Sequence, residues 1–171
     1  MAKKGRKSEY VISIDPSINA CGYAIHEVST GKLVDYGLIS PKHAMRAKDK
    51  LNDYLSKSRY VMDQVKELLD AYDNIELVTE VPDHWGAQGY EARESGSIYK
   101  LTFVCGMICA LSKDVMTYLP REWKGQRSKD VMRRRLGKFF KDEKIKLDVD
   151  EINHNVLDAI QIGRHHIGKR I

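Results

Sequence analysis

What this chain lacks removes several function classes at the outset. No apolar run in its 171 residues reaches the ~20 needed to cross a bilayer. The start, MAKKGRKSE, is a short basic stretch without the apolar segment of a secretory signal, so the expected location is the cytoplasm. Cysteine is scarce: three residues, an odd number with no paired spacing, cannot make a disulfide framework. Cys105 and Cys109 lie one helical turn apart in an apolar run, where core packing is expected rather than zinc, and all three thiols should be reduced. No Gly-rich phosphate loop, adenosine-binding motif, internal repeat or low-complexity segment is present, which argues against nucleotide-driven enzymes and repeat architectures.

What is present is ordinary for one globular domain: 42% hydrophobic and 31% charged residues. The expected division is a basic tail over residues 1–9 and a single domain over 10–171. A net charge of +5 and a pI near 9.0 suggest a polyanionic partner. The charge is concentrated, since Arg121 to Lys146 holds eleven Lys or Arg against four Asp or Glu. This segment covers a loop and a helix over Ser128 to Lys141, with Ser128 as its N-cap.

The chain is organised around Tyr10 to His26, YVISIDPSINACGYAIH. Val11, Ile12 and Ile14 have the β-branched density of a buried strand, Pro16, Ser17 and Asn19 are turn residues, and Gly22 to Ile25 opens a second strand. Asp15 therefore sits at the tip of an apolar strand. An ionised carboxylate there is costly unless it is hydrogen-bonded or bound to a cation, although capping of the turn would also account for it.

Lys32 to Ser40 reads as a third strand, and Leu51 to Tyr72 as a long amphipathic helix with apolar residues spaced by three and four. Ile75 to Val81 is a fourth strand stopped by Pro82, which leaves a second acid, Glu80, at a strand end. Asp83 to Gly96 is polar and Gly-rich with Trp85 and Tyr90, a mobile loop. Ser97 to Leu111 is an apolar, buried helix, and Val115 to Leu119 a short fifth strand ended by Pro120. The last helix is expected to begin near Asp150, with Ile152, Val156 and Ile160 on one stripe. His154, Asp158 and Gln161 or His165 fall on the neighbouring stripe, and Asn155 shares a face with Asp158 at three-residue spacing.

An order β-β-β-α-β-α-β-α-α, with acids on the first strand, the fourth strand and the last helix, resembles the ribonuclease H-like superfamily. Within it the chain most closely resembles the RuvC family of Holliday junction resolvases, a divergent or phage-type member included. The resemblance spans Tyr10 to about Ile167 and rests on IDPSINACGYAI, VTEV and HNVLDAI together. It implies an α/β ribonuclease H-like fold with a mixed five-stranded sheet, three antiparallel strands then two parallel, flanked by helices.

It also implies a metal-dependent, structure-specific endonuclease that resolves four-way junctions and other branched DNA in recombination and repair. Asp15 would be the first metal ligand, Glu80 the second and Asp158 the acid of the last helix, holding two Mg²⁺ or Mn²⁺ ions. The partner position three residues before Asp158, usually Asp or His in the family, is Asn155 here, with His154 as its competitor. An Asn oxygen suits Mg²⁺ or Mn²⁺, whereas imidazole would favour Mn²⁺. Lys124 and Lys129 match lysines near the scissile phosphate, and Arg121, Lys124, Arg127, Lys129 and Arg133 mark the expected path of the DNA backbone. Asp83 occupies the place of a family aromatic that enters the junction centre, so Trp85 or Tyr90 would take that part.

Symmetric cutting implies a homodimer, with Leu51 to Tyr72 and Ser97 to Leu111 as candidate contact helices. Two other readings stay open. A catalytically silent module for branched nucleic acid would share the basic face, and an actin-like phosphate-binding ATPase fragment would share the strand-Asp-turn-strand opening. The length is too short for two actin-like lobes.

Overall fold

The computed structural model describes residues 8–41, 50–83, 93–125, 127–145 and 148–168, with the side chains of 50–52 and 129 left out. Strands β1 (Tyr10–Asp15), β2 (Cys21–Glu27) and β3 (Leu33–Ile39) form an antiparallel meander, followed by helix α1 (Lys50–Asp70) and strand β4 (Ile75–Glu80). Helix α2 (Ser97–Cys109), strand β5 (Val115–Tyr118), a single turn α3 (Pro120–Trp123), α4 (Lys129–Asp142) and α5 (His154–His166) complete the described chain. The sheet order is β3-β2-β1-β4-β5, with β4 parallel to both β1 and β5. This is the expected mixed five-stranded sheet.

β1 is central and buried on both faces, which explains its β-branched density. Ile12 and Ile14 join Leu77, Val61, Val65, Val104 and Ile108 in the core under α1 and α2. On the opposite face Val11 and Val78 pack with Trp123, Met132 and Ile162, and Ala24 with Leu136, Phe140, Leu157 and Ile160. Each fully buried aliphatic of this kind contributes about 1.5–3 kcal/mol. Among the described residues no helix is long and apolar enough to cross a membrane.

Helix α5 is pressed against β1 and β2 because small residues let it approach. A Cβ on Gly22 would stand 2.1 Å from the backbone oxygen of Asn155, and one on Gly163 would stand 2.6 Å from both Ser13 Oγ and His26 Nδ1. Ser13 Oγ then lies 2.7 Å from the Ala159 carbonyl of α5 and 3.1 Å from the Ala24 carbonyl of β2, within donating reach of either. The helix that carries Asp158 is thereby fixed to the strand that carries Asp15.

Most element ends fall within two residues of the sequence reading, and the differences that matter lie at the last helix and after β5. The last helix begins at His154 rather than near Asp150, because Asn153 caps it: its side chain accepts from the Asn155 N–H at 3.0 Å. Residues 148–151 form a turn instead, with Asp148 accepting from the Asp150 N–H, and Ile152 packs on the core from outside the helix. The stretch after β5, expected as a loop, contains α3, with Pro120 in its first turn and the Glu122 carboxylate accepting from the Leu119 N–H at 2.6 Å. Leu119 therefore belongs to that helix start, and β5 ends at Tyr118. Ser128 caps α4 as expected, accepting from the Val131 N–H. Most of the expected tail and residues 84–92 of the expected mobile loop, Trp85 and Tyr90 among them, lie outside the described residues.

Candidate functional site

Parallel register brings the first two acids together. β1 pairs with β4 through Ile14 and Thr79, so Asp15 and Glu80 follow at the same level on strands about 4.8 Å apart. Strand alternation turns both toward the α5 side, the face that Ser13 and Val78 already occupy. On the other flank Asp15 is paired with Gly22, whose missing side chain admits the first turn of α5. Thr79 is buried, its Oγ1 within donating reach of either the Ile14 or the Glu80 carbonyl.

Glu80 is strongly perturbed. Its pKa is pushed up to about 7, chiefly by burial, with the negative charge of Asp158 adding to the rise; a hydrogen bond from Trp123 and the charge of Lys124 oppose it. The Trp123 indole donates through Nε1 to Glu80 Oε2 at 2.6 Å, fixing the carboxylate in place. Asp158 thus acts on Glu80 from α5 and Lys124 from the end of α3. A cation placed among these acids would draw Glu80 back to its ionised form.

The competitors for a fourth donor lie on different sides of α5. Asn155 donates its side-chain N–H to the Ala20 carbonyl, pinning the turn after Asp15 to the helix. His154 is exposed and lines a cleft with Asp158, Asp130, Arg133 and Gln161. Among the described residues no three or more His, Cys, Asp or Glu side chains are gathered closely enough to hold a metal ion as they stand. Strand register sets Asp15 level with Glu80, and Asp158 acts on Glu80 from α5. Cysteine does not supplement them: burial pushes both Cys21 and Cys105 up to about 12, so each stays a neutral thiol near neutral pH, and all three cysteines are free.

The basic residues divide. Lys124 stands beside the acids, its Nζ 5.8 Å from the centre of the Trp123 ring. Arg127 is exposed, and Arg133 is half-buried with Asp150 at 3.5 Å. Arg121 pairs with Asp83 at 3.8 Å, so the residue at the expected wedge position anchors a cation of α3. Lys129 is the first residue of α4, and its side chain lies outside the described residues.

Sequence reasoning missed Trp123 and Ser13. The signal for Trp123 was local: Pro at the first helical position and Glu two residues later in LPREW mark a helix start that carries the indole inward. The signal for Ser13 was a lone hydroxyl in an otherwise apolar strand, which requires a buried partner.

Two solved structures from Thermus thermophilus share this architecture. RuvC in complex with a Holliday junction substrate matches with a TM-score of 0.63 and 15% identity, over 93% of each chain. A second RuvC structure matches with a TM-score of 0.63 and 15% identity, over 94% of this chain and 97% of that one. The fold is that of RuvC. No family model and no curated protein matches the chain by sequence. At 15% identity the likeness to RuvC is one of architecture, and what the side chains do rests on their own geometry.

Proposed function

We propose that this protein is a divalent-metal-dependent endonuclease that hydrolyses phosphodiester bonds in branched DNA, four-way junctions foremost, as a crossover junction endodeoxyribonuclease of recombination and repair. The observation that carries it is that Asp15 and Glu80 end paired strands at one level while Asp158 acts on Glu80 from α5, with Glu80 pushed up to about 7 chiefly by burial. The RuvC fold and the exposed basic residues of α3 and α4 support the same reading.

The donors fit the group the reading requires. Carboxylate oxygens in an open, partly buried site suit Mg²⁺ or Mn²⁺, and neutral thiols do not compete for a softer ion. When bound, a pair of such ions would supply activation of water and stabilisation of the leaving oxygen. Asp15 would hold both, Glu80 one side, and Asp158 with Asn155 or His154 the other. Trp123 orients Glu80, and Asn155 holds the turn behind Asp15. Lys124, beside Glu80, places a positive charge where the phosphate would gain negative charge, and Lys129 is proposed for the same part. Arg121, Arg127 and Arg133 would contact the backbone, with Trp85 or Tyr90 against unpaired bases. Cutting both strands of a junction symmetrically calls for a homodimer.

The test is incubation with labelled four-way junction, flap, fork and linear duplex in Mg²⁺ and in Mn²⁺. Cutting of the four-way junction in preference to duplex is expected. Tight junction binding with no cleavage in either metal would establish the silent binding module instead.

A further inference from the structure

We infer that the groove between α4 and the segment that follows it is a docking site for another protein, taking a short extended stretch in which acidic residues alternate with apolar ones. The groove has a volume of about 820 Å³ and runs between α4 and residues 145 and 148–150. Its α4 wall carries Arg134, Lys138 and Lys141, all exposed and each about one helical turn from the next. Ile145 and Val149, both half-buried, are the apolar part of the facing wall. The two walls meet at Gly137, where a Cβ would stand 3.7 Å from a Val149 methyl group.

Charge in this groove is one-sided. Asp148 accepts from the Asp150 N–H at 2.9 Å, and Asp150 stands 3.5 Å from Arg133, so the carboxylates of the facing wall have partners within the protein. Arg134, Lys138 and Lys141 form no carboxylate ion pair among the described residues. The groove therefore offers three uncompensated cations on one side and an apolar surface on the other.

A nucleic-acid strand is a poor complement to it. Such a strand carries an anion at every residue and is held by cations together with aromatic platforms for its bases. No aromatic side chain lines the groove among the described residues, and Asp148 and Asp150 oppose phosphates on the facing wall. An extended peptide instead sends alternate side chains to opposite sides, those on one side about 7 Å apart. Carboxylates at every second position meet Arg134 and Lys138, while the intervening apolar side chains reach Ile145 and Val149. Among the residues that line the groove and the cleft of Asp158, Arg133 alone is common to both, so a docked segment leaves the candidate active site open. The groove is thus suited to tethering a partner beside the protein while the acids remain accessible.

The probe is a fluorescein-labelled hexapeptide alternating aspartate with leucine, followed by fluorescence anisotropy against the full chain. Saturable binding is expected. Lys138→Glu combined with Lys141→Glu should weaken it at least about tenfold, because two exposed ion pairs become two like-charge contacts. Serine in place of leucine in the peptide should also cost at least about tenfold, through the lost apolar contact. A hexapeptide alternating lysine with leucine should bind the doubly substituted protein more tightly than the parent, which shows that the altered groove still forms. Four-way junction binding by that protein should match the parent's. No saturable binding, equal affinity for the serine peptide, or an affinity that the double substitution leaves intact would overturn the docking site. Junction binding weakened about tenfold by the same double substitution would overturn it too, by making the groove part of the DNA path. Each of those outcomes leaves the nuclease reading standing, and peptide binding by a protein that cuts no junction would keep the docking site without it.

Discussion

The two ends of α5 bury ionisable groups in the same cleft between helix and sheet, with opposite consequences. Near the N-terminal end, Asp158 meets Glu80, and burial with like charge raises Glu80 to about 7. Near the C-terminal end, His26 is wholly buried under Gly163, and burial, with the charge of Arg164 adding to it, lowers the imidazole to about 3. Neither His26 ring nitrogen has a hydrogen-bond partner among the described residues. Desolvation favours the neutral form in both places. What differs is access: Glu80 opens toward Lys124 and a cleft where a cation can enter, while His26 is closed in by Ser13, Gly163 and the sheet. Burial of a charge marks a functional site only where something can arrive to compensate it.

The strongest way to break this contrast is to remove charge at the open end. Asp15→Asn, Glu80→Gln and Asp158→Asn should each slow junction cleavage at least about a thousandfold, about 4 kcal/mol of barrier, while junction binding persists. A variant that cuts within about tenfold of the parent would remove that acid from the proposed site.

Next in size is the close approach that makes both ends possible. Gly22→Ala drives a Cβ into the Asn155 backbone and should destabilise the fold by about 3 kcal/mol, measurable by urea denaturation. Because the first turn of α5 must move away from Asp15, cleavage should fall even where the protein remains folded.

The closed end is tested by acid. The ordinary histidine pKa of 6.5 falls to about 3 in the fold, so below pH 6.5 the unfolded chain takes up a proton that the native state refuses. His26 therefore erodes stability progressively from pH 6.5 toward pH 3, by about 2 kcal/mol by pH 5 at about 1.4 kcal/mol per unit. Denaturation of the parent and of His26→Met at pH 8, 6 and 5 isolates the term. Parallel pH dependences for the two proteins would show that His26 is not held neutral.

The smallest expected effect sharpens the open end. Trp123→Phe removes the hydrogen bond that favours the Glu80 carboxylate, so the Glu80 pKa should rise further and the acidic limb of the cleavage pH profile should move upward. A lowered rate with an unmoved limb would mean that Trp123 supports the structure without tuning Glu80.

The sequence alone determined the meander, the order of elements and the presence of acids at the tips of β1 and β4, because strand periodicity and turn residues are local signals. It also placed His154, Asp158 and Gln161 along one side of the last helix, and the structure puts all of them in a single cleft. It misplaced the start of that helix, since Asn153 and Asp150 are both able to cap and only packing chooses between them. It assigned Arg121 to the DNA path without the Asp83 that pairs with it.

Only the tertiary structure decided the rest. That Trp123 holds Glu80 and that Asn155 grips the turn after Asp15 are contacts across 43 and 135 residues. So are the opposite shifts of Glu80 and His26, which come from desolvation. That quantity depends on how closely α5 approaches the sheet, and a residue's neighbours in the chain do not record it.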